Sequence, residues 1–168
     1  MANKIEFATA LDGRIWAATV PVDPRELPTA QQKGERVVST AGRPFVVHFT
    51  KAPIRNWQRR LARMFESLPK AEPDAAVRLE LVFCYAFPKA VPLSKRLDFA
   101  PRTTRPDCDN LAKGLVDAMA EAGLFADDSQ VADLRVAKVH TTGAPRIIIT
   151  AEYGVREICT SQNGEASK

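Results

Sequence analysis

The sequence predicts an α/β (α+β) fold, a small mixed sheet carrying two main helices. Apolar residues recur at helical spacing in two separate segments, and stretches of strand length rich in Val, Ile, Leu, Phe and Tyr run between and after them. The length of 168 residues, with 45% hydrophobic and 26% charged, suits one core and is short for two. A single domain over residues 1–153 is expected. Periodicity is lost beyond Tyr153 and the last residues read SQNGEASK, so 154–168 are expected as a flexible tail.

In the first 48 residues the apolar runs are short, and turns containing Pro and Gly separate strands expected at 5–8, 15–20 and 44–49. From Pro53 the pattern becomes helical: Ile54, Trp57, Leu61, Met64, Phe65 and Leu68 share one face, and Pro69 closes the segment. Trp57 is expected as a core anchor. Lys51, Arg55, Arg59, Arg60 and Arg63 follow one another without an acid, which makes the other face basic.

Residues 77–87 read as a strand buried on at least one side. The next segment, PKAVPLSKRLDFAPRTTRP, mixes prolines with Lys89, Lys95, Arg96, Arg102 and Arg105, and is expected as an extended, solvated loop. Asn110 or Asp109 is then expected to cap a helix of roughly 13 residues, with Leu111, Leu115, Val116 and Met119 on its apolar face and Gly123 at its stop. A polar turn at 126–130 leads to strands at 131–140 and 146–153, which the turn TTGAP is expected to join as a hairpin.

Several function classes are disfavoured. No apolar run approaches the ~20 residues that span a bilayer, and MANKIEFATALDG lacks the basic start and apolar block of a secretory signal; a cytoplasmic protein without membrane association is expected. Cys84, Cys108 and Cys159 form no CxxC pair, so free thiols are expected instead of a disulfide framework or a zinc site. No Gly-rich loop suggests a nucleotide cofactor. His48 and His140 belong to no triad-like constellation.

The distribution of charge is more informative than its sum. The net charge is +4, yet RPDCDNLAKGLVDAMAEAGLFADDSQV (105–131) gathers Asp107, Asp109, Asp117, Asp127 and Asp128 around Lys113. Cationic stretches at 51–63 and 89–105 precede and adjoin it, a pattern that favours a polyanionic partner. Asp107 and Asp109, one residue apart at a helix entrance, can project to the same side and suit a hard cation such as Mg²⁺, which takes one or two carboxylates plus phosphate oxygens. Lys113 lies four residues from both Asp109 and Asp117. Such a stripe reads either as surface ion pairs worth a few tenths of a kcal/mol or as an ammonium held near a scissile phosphate.

Taken in order, Pro106-Asp107-Cys108-Asp109-Asn110-Leu111, Lys113, Asp117-Ala118, Gly123, Asp127-Asp128-Ser129-Gln130-Val131 and Lys138 resemble the signature of the RusA family of Holliday junction resolvases. The resemblance implies a RusA-like fold and a Mg²⁺-dependent endodeoxyribonuclease that acts as a homodimer, making paired nicks in four-way junction DNA during recombination and repair. It implies Asp107, Asp109 and Asp128 as catalytic carboxylates and metal ligands, and Lys113 as the catalytic lysine. Asp117 and Asp127 become candidates for supporting positions around the metal, and Lys89, Lys95, Arg96, Arg102 and Arg105 for phosphate contacts.

The first fifty residues depart from the family's short N-terminal strand and Pro-rich loop, so no junction-contacting residue carries over from there. Cys108 occupies an apolar spacer position and receives no role, since thiolates suit softer metals. A nucleotide-sugar transferase using Asp-x-Asp lacks support, because the alternating elements of a nucleotide-binding βαβ arrangement are too few. A junction-binding dimer that does not cut is the alternative; the presence of every matched acid and of the lysine argues for cleavage. A helix of ~13 residues is about 20 Å long, so Asp128 is expected to reach the other acids by a doubled-back chain or, as favoured here, from a second subunit.

Overall fold

The computed structural model describes residues 5–27, 33–40, 43–50 and 52–158. Strands β1 (Glu6–Ala10) and β2 (Ile15–Val20) form an antiparallel pair. On β2 the alternation of Trp16, Ala18 and Val20 with more exposed neighbours marks a strand with one face in the core. One 3-10 turn, Pro24–Glu26, follows. Strands β3 (Lys33–Thr40) and β4 (Arg43–Thr50) pair as a separate two-stranded ribbon. The sequence reading had β4 but not β3.

Helix α1 (Ala52–Phe65) buries Ile54, Leu61, Ala62 and Phe65, with Trp57 partly buried against the core. Its arginines are exposed, as the pattern predicted. After it come β5 (Val77–Ala86), the short β6 (Ala100–Pro101), α2 (Cys108–Glu121), β7 (Val131–Thr141) and β8 (Arg146–Tyr153). Six strands make one mixed sheet in the order β1-β2-β8-β5-β7-β6.

Both helices contribute to a core on one face of this sheet. Val77, Leu79, Leu81, Phe83 and Tyr85 of β5 are at most 1% exposed and share that core with Leu61 and Phe65 of α1 and Leu111, Leu115 and Met119 of α2. Full burial of each large apolar side chain contributes about 2 kcal/mol. The segments just past the two helices are joined by Ala71 N, which donates to Leu124 O at 2.8 Å, and the segment after α1 is fastened to β8 by the Tyr153 hydroxyl, which donates to Pro69 O at 2.9 Å.

The expected hairpin of the last two strands is not formed. β7 runs parallel to β5 and β8 antiparallel to it, so β5 lies between them. The turn after Thr141 reverses the chain but carries it past the end of β5 to its far side. The parallel β5–β7 pair needs a long crossover, which the loop and α2 supply. Residues 154 and 155 both donate from their backbone N to Ala76 O, so the chain stays attached to the sheet just past β8. The loop 88–106 is less uniformly extended than expected: it contains a 3-10 turn at Leu93–Lys95 and the short β6, which pairs with β7.

Candidate active site

The N-cap of helix α2 lies two or three residues before the expected Asp109 or Asn110. Cys108 is its first residue, and Asp107, extended at φ −76° and ψ 153°, is the N-cap. The Asp107 backbone carbonyl accepts from Leu111 N at 3.2 Å, while its carboxylate makes no capping hydrogen bond. An N-cap aspartate usually satisfies a helix N–H with its side chain; here the side chain is left available beside the positive end of the helix. Asp109, exposed in the first turn, is contacted by Asn110 Nδ2 at 3.5 Å.

Farther along α2, Lys113 is exposed, and Asp117 is partly buried where Gln58 Nε2 of α1 lies 3.5 Å from its carboxylate. That contact gives Asp117 a part in the packing of the two helices.

The segment leading into Asp107 is fastened to β7. Lys138 Nζ donates to Thr104 O at 3.0 Å and to Pro106 O at 2.7 Å, and Arg102 N donates to Lys138 O at 3.0 Å. Lys138 was part of the motif without a role, and nothing in the spacing of the sequence pointed to these carbonyl partners. Replacing Lys138 with methionine should destabilise the protein by about 2 kcal/mol, the typical effect of losing hydrogen bonds to a charged donor. Urea unfolding of the two proteins checks this.

The cations of the loop fall into two groups. Lys89, Lys95 and Arg105 are exposed. Arg96 donates from Nε to Val91 O at 2.9 Å, and Arg102 stacks 4.2 Å from the Tyr85 ring centroid while donating to Arg105 O at 2.9 Å. Arg102 Nε and the Tyr85 hydroxyl are buried without a hydrogen-bond partner among the described residues. Burial pushes the Tyr85 phenol up to about 12; Arg102 opposes the shift, and the charges of Asp23 and Cys108 add to it.

Beside the start of α2 is a cleft of about 440 Å³, lined by Pro24, Arg25 and Leu27 together with Arg105, Pro106, Asp107 and Asn110.

Asp127 and Asp128 lie at the opposite end of α2. Asp127 caps the 3-10 turn Asp128–Gln130: its carboxylate accepts from Ser129 N at 2.9 Å, and this bonding to Ser129 holds its pKa below the ordinary value. Gln130 completes a capping box and donates to Glu72 O at 3.0 Å and Ala75 O at 2.9 Å. The Asp-x-x-Gln spacing could have disclosed this structural task in the sequence. Asp128 is exposed.

Two rulers separate the acids. The 14 residues of α2 span about 21 Å at 1.5 Å per residue. Along β7, the distance from Val131, next to Asp128, to Lys138, which holds the Asp107 loop, is about 23 Å at ~3.3 Å per residue. These lengths put Asp128 toward the far end of α2 from Asp107, and among the described residues no three His, Cys, Asp or Glu side chains gather into a metal site.

Fold and site define a small mixed-sheet α/β protein with oxygen donors at the start of its crossover helix and exposed cations in the loop before it. Comparison with known proteins makes the class specific. The sequence model described as Endodeoxyribonuclease RusA matches residues 26–152, and the chain belongs to the RusA family. Similar proteins include the crossover junction endodeoxyribonuclease RusA of Escherichia coli (strain K12) and that of Enterobacteria phage 82, each 40% identical over 62 residues, 36% of this chain and 52% of the relative. The chain thus spans about half the length of these two relatives. A third, the crossover junction endodeoxyribonuclease of Lactococcus phage r1t, is 31% identical over 114 residues, covering 67% of this chain and 79% of that protein. Among the described residues no helix is long and apolar enough to cross a membrane.

Proposed function

We propose that the protein is a Mg²⁺-dependent endodeoxyribonuclease that makes paired nicks in four-way DNA junctions, acting as a homodimer through one nuclease domain over residues 1–153. The observation that carries this reading is the uncapped carboxylate of Asp107, next to Asp109 and reached through a loop with exposed cations, in a chain of the RusA family. Two carboxylates from one helix start suit an ion that completes its octahedron with water and phosphate oxygens. Asp107 and Asp109 would hold Mg²⁺ with Asp128. When bound, the ion would polarise a phosphate oxygen and make a water more acidic.

The protein's own groups have complementary tasks. Lys113, one turn beyond Asp109, places an ammonium where negative charge grows on the phosphate as the bond to the leaving oxygen breaks. Lys89, Lys95 and Arg105 attract the DNA backbone, and Arg96 and Arg102 support the loop that presents them as well as adding positive potential. Asp117 and Asp127 act from farther away, through the α1 contact and the 3-10 turn.

The separation of Asp128 from Asp107 and Asp109 supports a composite site in which Asp128 comes from the second subunit. Two chains related by a two-fold axis, with their α2 helices antiparallel, would bring the start of each helix beside the end of the other and create two identical sites. Two matched sites suit two matched cuts.

A nicking assay on a labelled four-way junction, with and without Mg²⁺, tests the function. The expected result is symmetric nicks in Mg²⁺, none with chelator, and little cutting of linear duplex of the same sequence. Junction binding without nicks would mark the protein as a binding dimer that does not cut.

A further inference from the structure

We propose that Arg25 forms a phosphate-binding subsite in the cleft that it lines together with Asp107, holding the DNA backbone beside the helix start, with Asp23 orienting its guanidinium. This inference rests on the nuclease reading, since it assigns the cleft to the DNA of that reading.

The local sequence Val-Asp-Pro-Arg-Glu-Leu builds the subsite. Asp23 caps the turn Pro24–Glu26 and accepts from Arg25 N at 2.9 Å. Proline at the first position suits the fixed φ of a helical turn. Val22 and Leu27, on either side, are 3% and 7% exposed, so the turn is held by the core and does not swing with a surface loop. The same Asp23 carboxylate also takes one edge of the Arg25 guanidinium: Nε donates to Oδ1 at 3.1 Å and to Oδ2 at 2.9 Å, and Nη2 also donates to Oδ2.

A guanidinium has five donors in a planar fork. With Nε and part of Nη2 occupied, Nη1 and the remaining Nη2 hydrogen can donate outward, and the side chain is 66% exposed. A fork fixed on one edge and open on the other suits a phosphate, which accepts two parallel hydrogen bonds. Arg105 and Asn110, which line the same cleft, add a second cation and an amide donor. Among the described residues the Tyr85 hydroxyl and Arg102 Nε are buried without a hydrogen-bond partner, and the charge of Asp23 reaches the Tyr85 phenol. Arg25 stands just ahead of residues 26–152, the span matched to the RusA family.

The alternative is a local ion pair between residues two apart, without a substrate role. Binding to a four-way junction, measured as a function of salt in the absence of divalent ions so that nothing is cut, separates the two. Arg25→Gln should weaken binding about tenfold and reduce the slope of log affinity against log salt by roughly 0.9, the value for one lost phosphate contact. Arg25→Lys, which keeps the charge and loses the fork, should retain the slope and lose part of the affinity.

Arg135→Gln removes the same charge from the open face of the sheet, where Arg135 lies 3.8 Å from Asp133, and should leave the slope unchanged. Melting temperatures verify that all three variants are folded. An unchanged slope for Arg25→Gln, or an equal fall for Arg135→Gln, overturns the subsite while leaving the nuclease reading intact if wild-type protein nicks junctions in Mg²⁺. Wild-type protein that does not bind junction DNA overturns both.

Discussion

Asp109→Asn will abolish junction nicking in Mg²⁺, with a loss of at least about a thousandfold in single-turnover rate, because several kcal/mol of transition-state stabilisation depend on a correctly held ion. The substitution keeps side-chain volume and removes one charge. Asp109 is exposed in the first turn of α2 and is not its cap, so the structural loss is confined to its interaction with the helix dipole, about 0.3–1 kcal/mol. Junction binding should persist or tighten, since one negative charge facing DNA disappears. The checks are a nicking time course, a binding titration and a melting curve on the same preparation. A variant that nicks at the wild-type rate would remove Asp109 from the metal site.

Mixing inactive Asp109→Asn and Asp128→Asn proteins will restore nicking of a single strand. If each site takes Asp107 and Asp109 from one chain and Asp128 from the other, the mixed dimer has one site with both defects and one with neither. If each site lies within one chain, both sites carry a defect and the mixture remains inactive. The two lengths of about 20 Å, along α2 and along β7, favour the first outcome. Subunit exchange must be demonstrated independently, for example by energy transfer between labelled subunits. Absence of recovery despite exchange would place each site within one chain.

The sequence made local structure readable where the periodicity was long. α1 and α2 followed from apolar faces of about four and two and a half turns, and the bounds of β2, β5 and β8 agreed with the structure to within a residue. What it hid was partnership. The turn after Thr141 signals a reversal, but no local feature says whether the reversing strand pairs with its predecessor or passes another strand. That choice depends on β5, whose own alternation of buried Val77, Leu79, Leu81, Phe83 and Tyr85 fits either a central or a lateral strand.

The site was readable in part. The positions of Asp107, Asp109 and Lys113 on one helix follow from the spacing, but the absence of a side-chain cap at Asp107 does not, because Asp109 and Asn110 are equally good capping types. Lys138 and Gln130 act on backbone carbonyls more than thirty and fifty residues away, respectively, and such contacts leave no periodic trace. Arg102 looked like a surface cation and is instead stacked on Tyr85.

The insertion of β5 between β7 and β8 has a consequence for how the protein is made. β5 emerges from the ribosome long before either neighbour, and at ~5–20 residues per second several seconds pass before Tyr153 follows. During that interval a strand rich in Val, Leu and Phe has both edges open, the condition under which chains join edge to edge. Pairings between strands so distant in sequence also close slowly. The Lys138 anchor for the Asp107 loop is itself carried by one of the late strands. A nascent chain therefore has its acids before it has the scaffold that aims them, and cutting waits for the final strand.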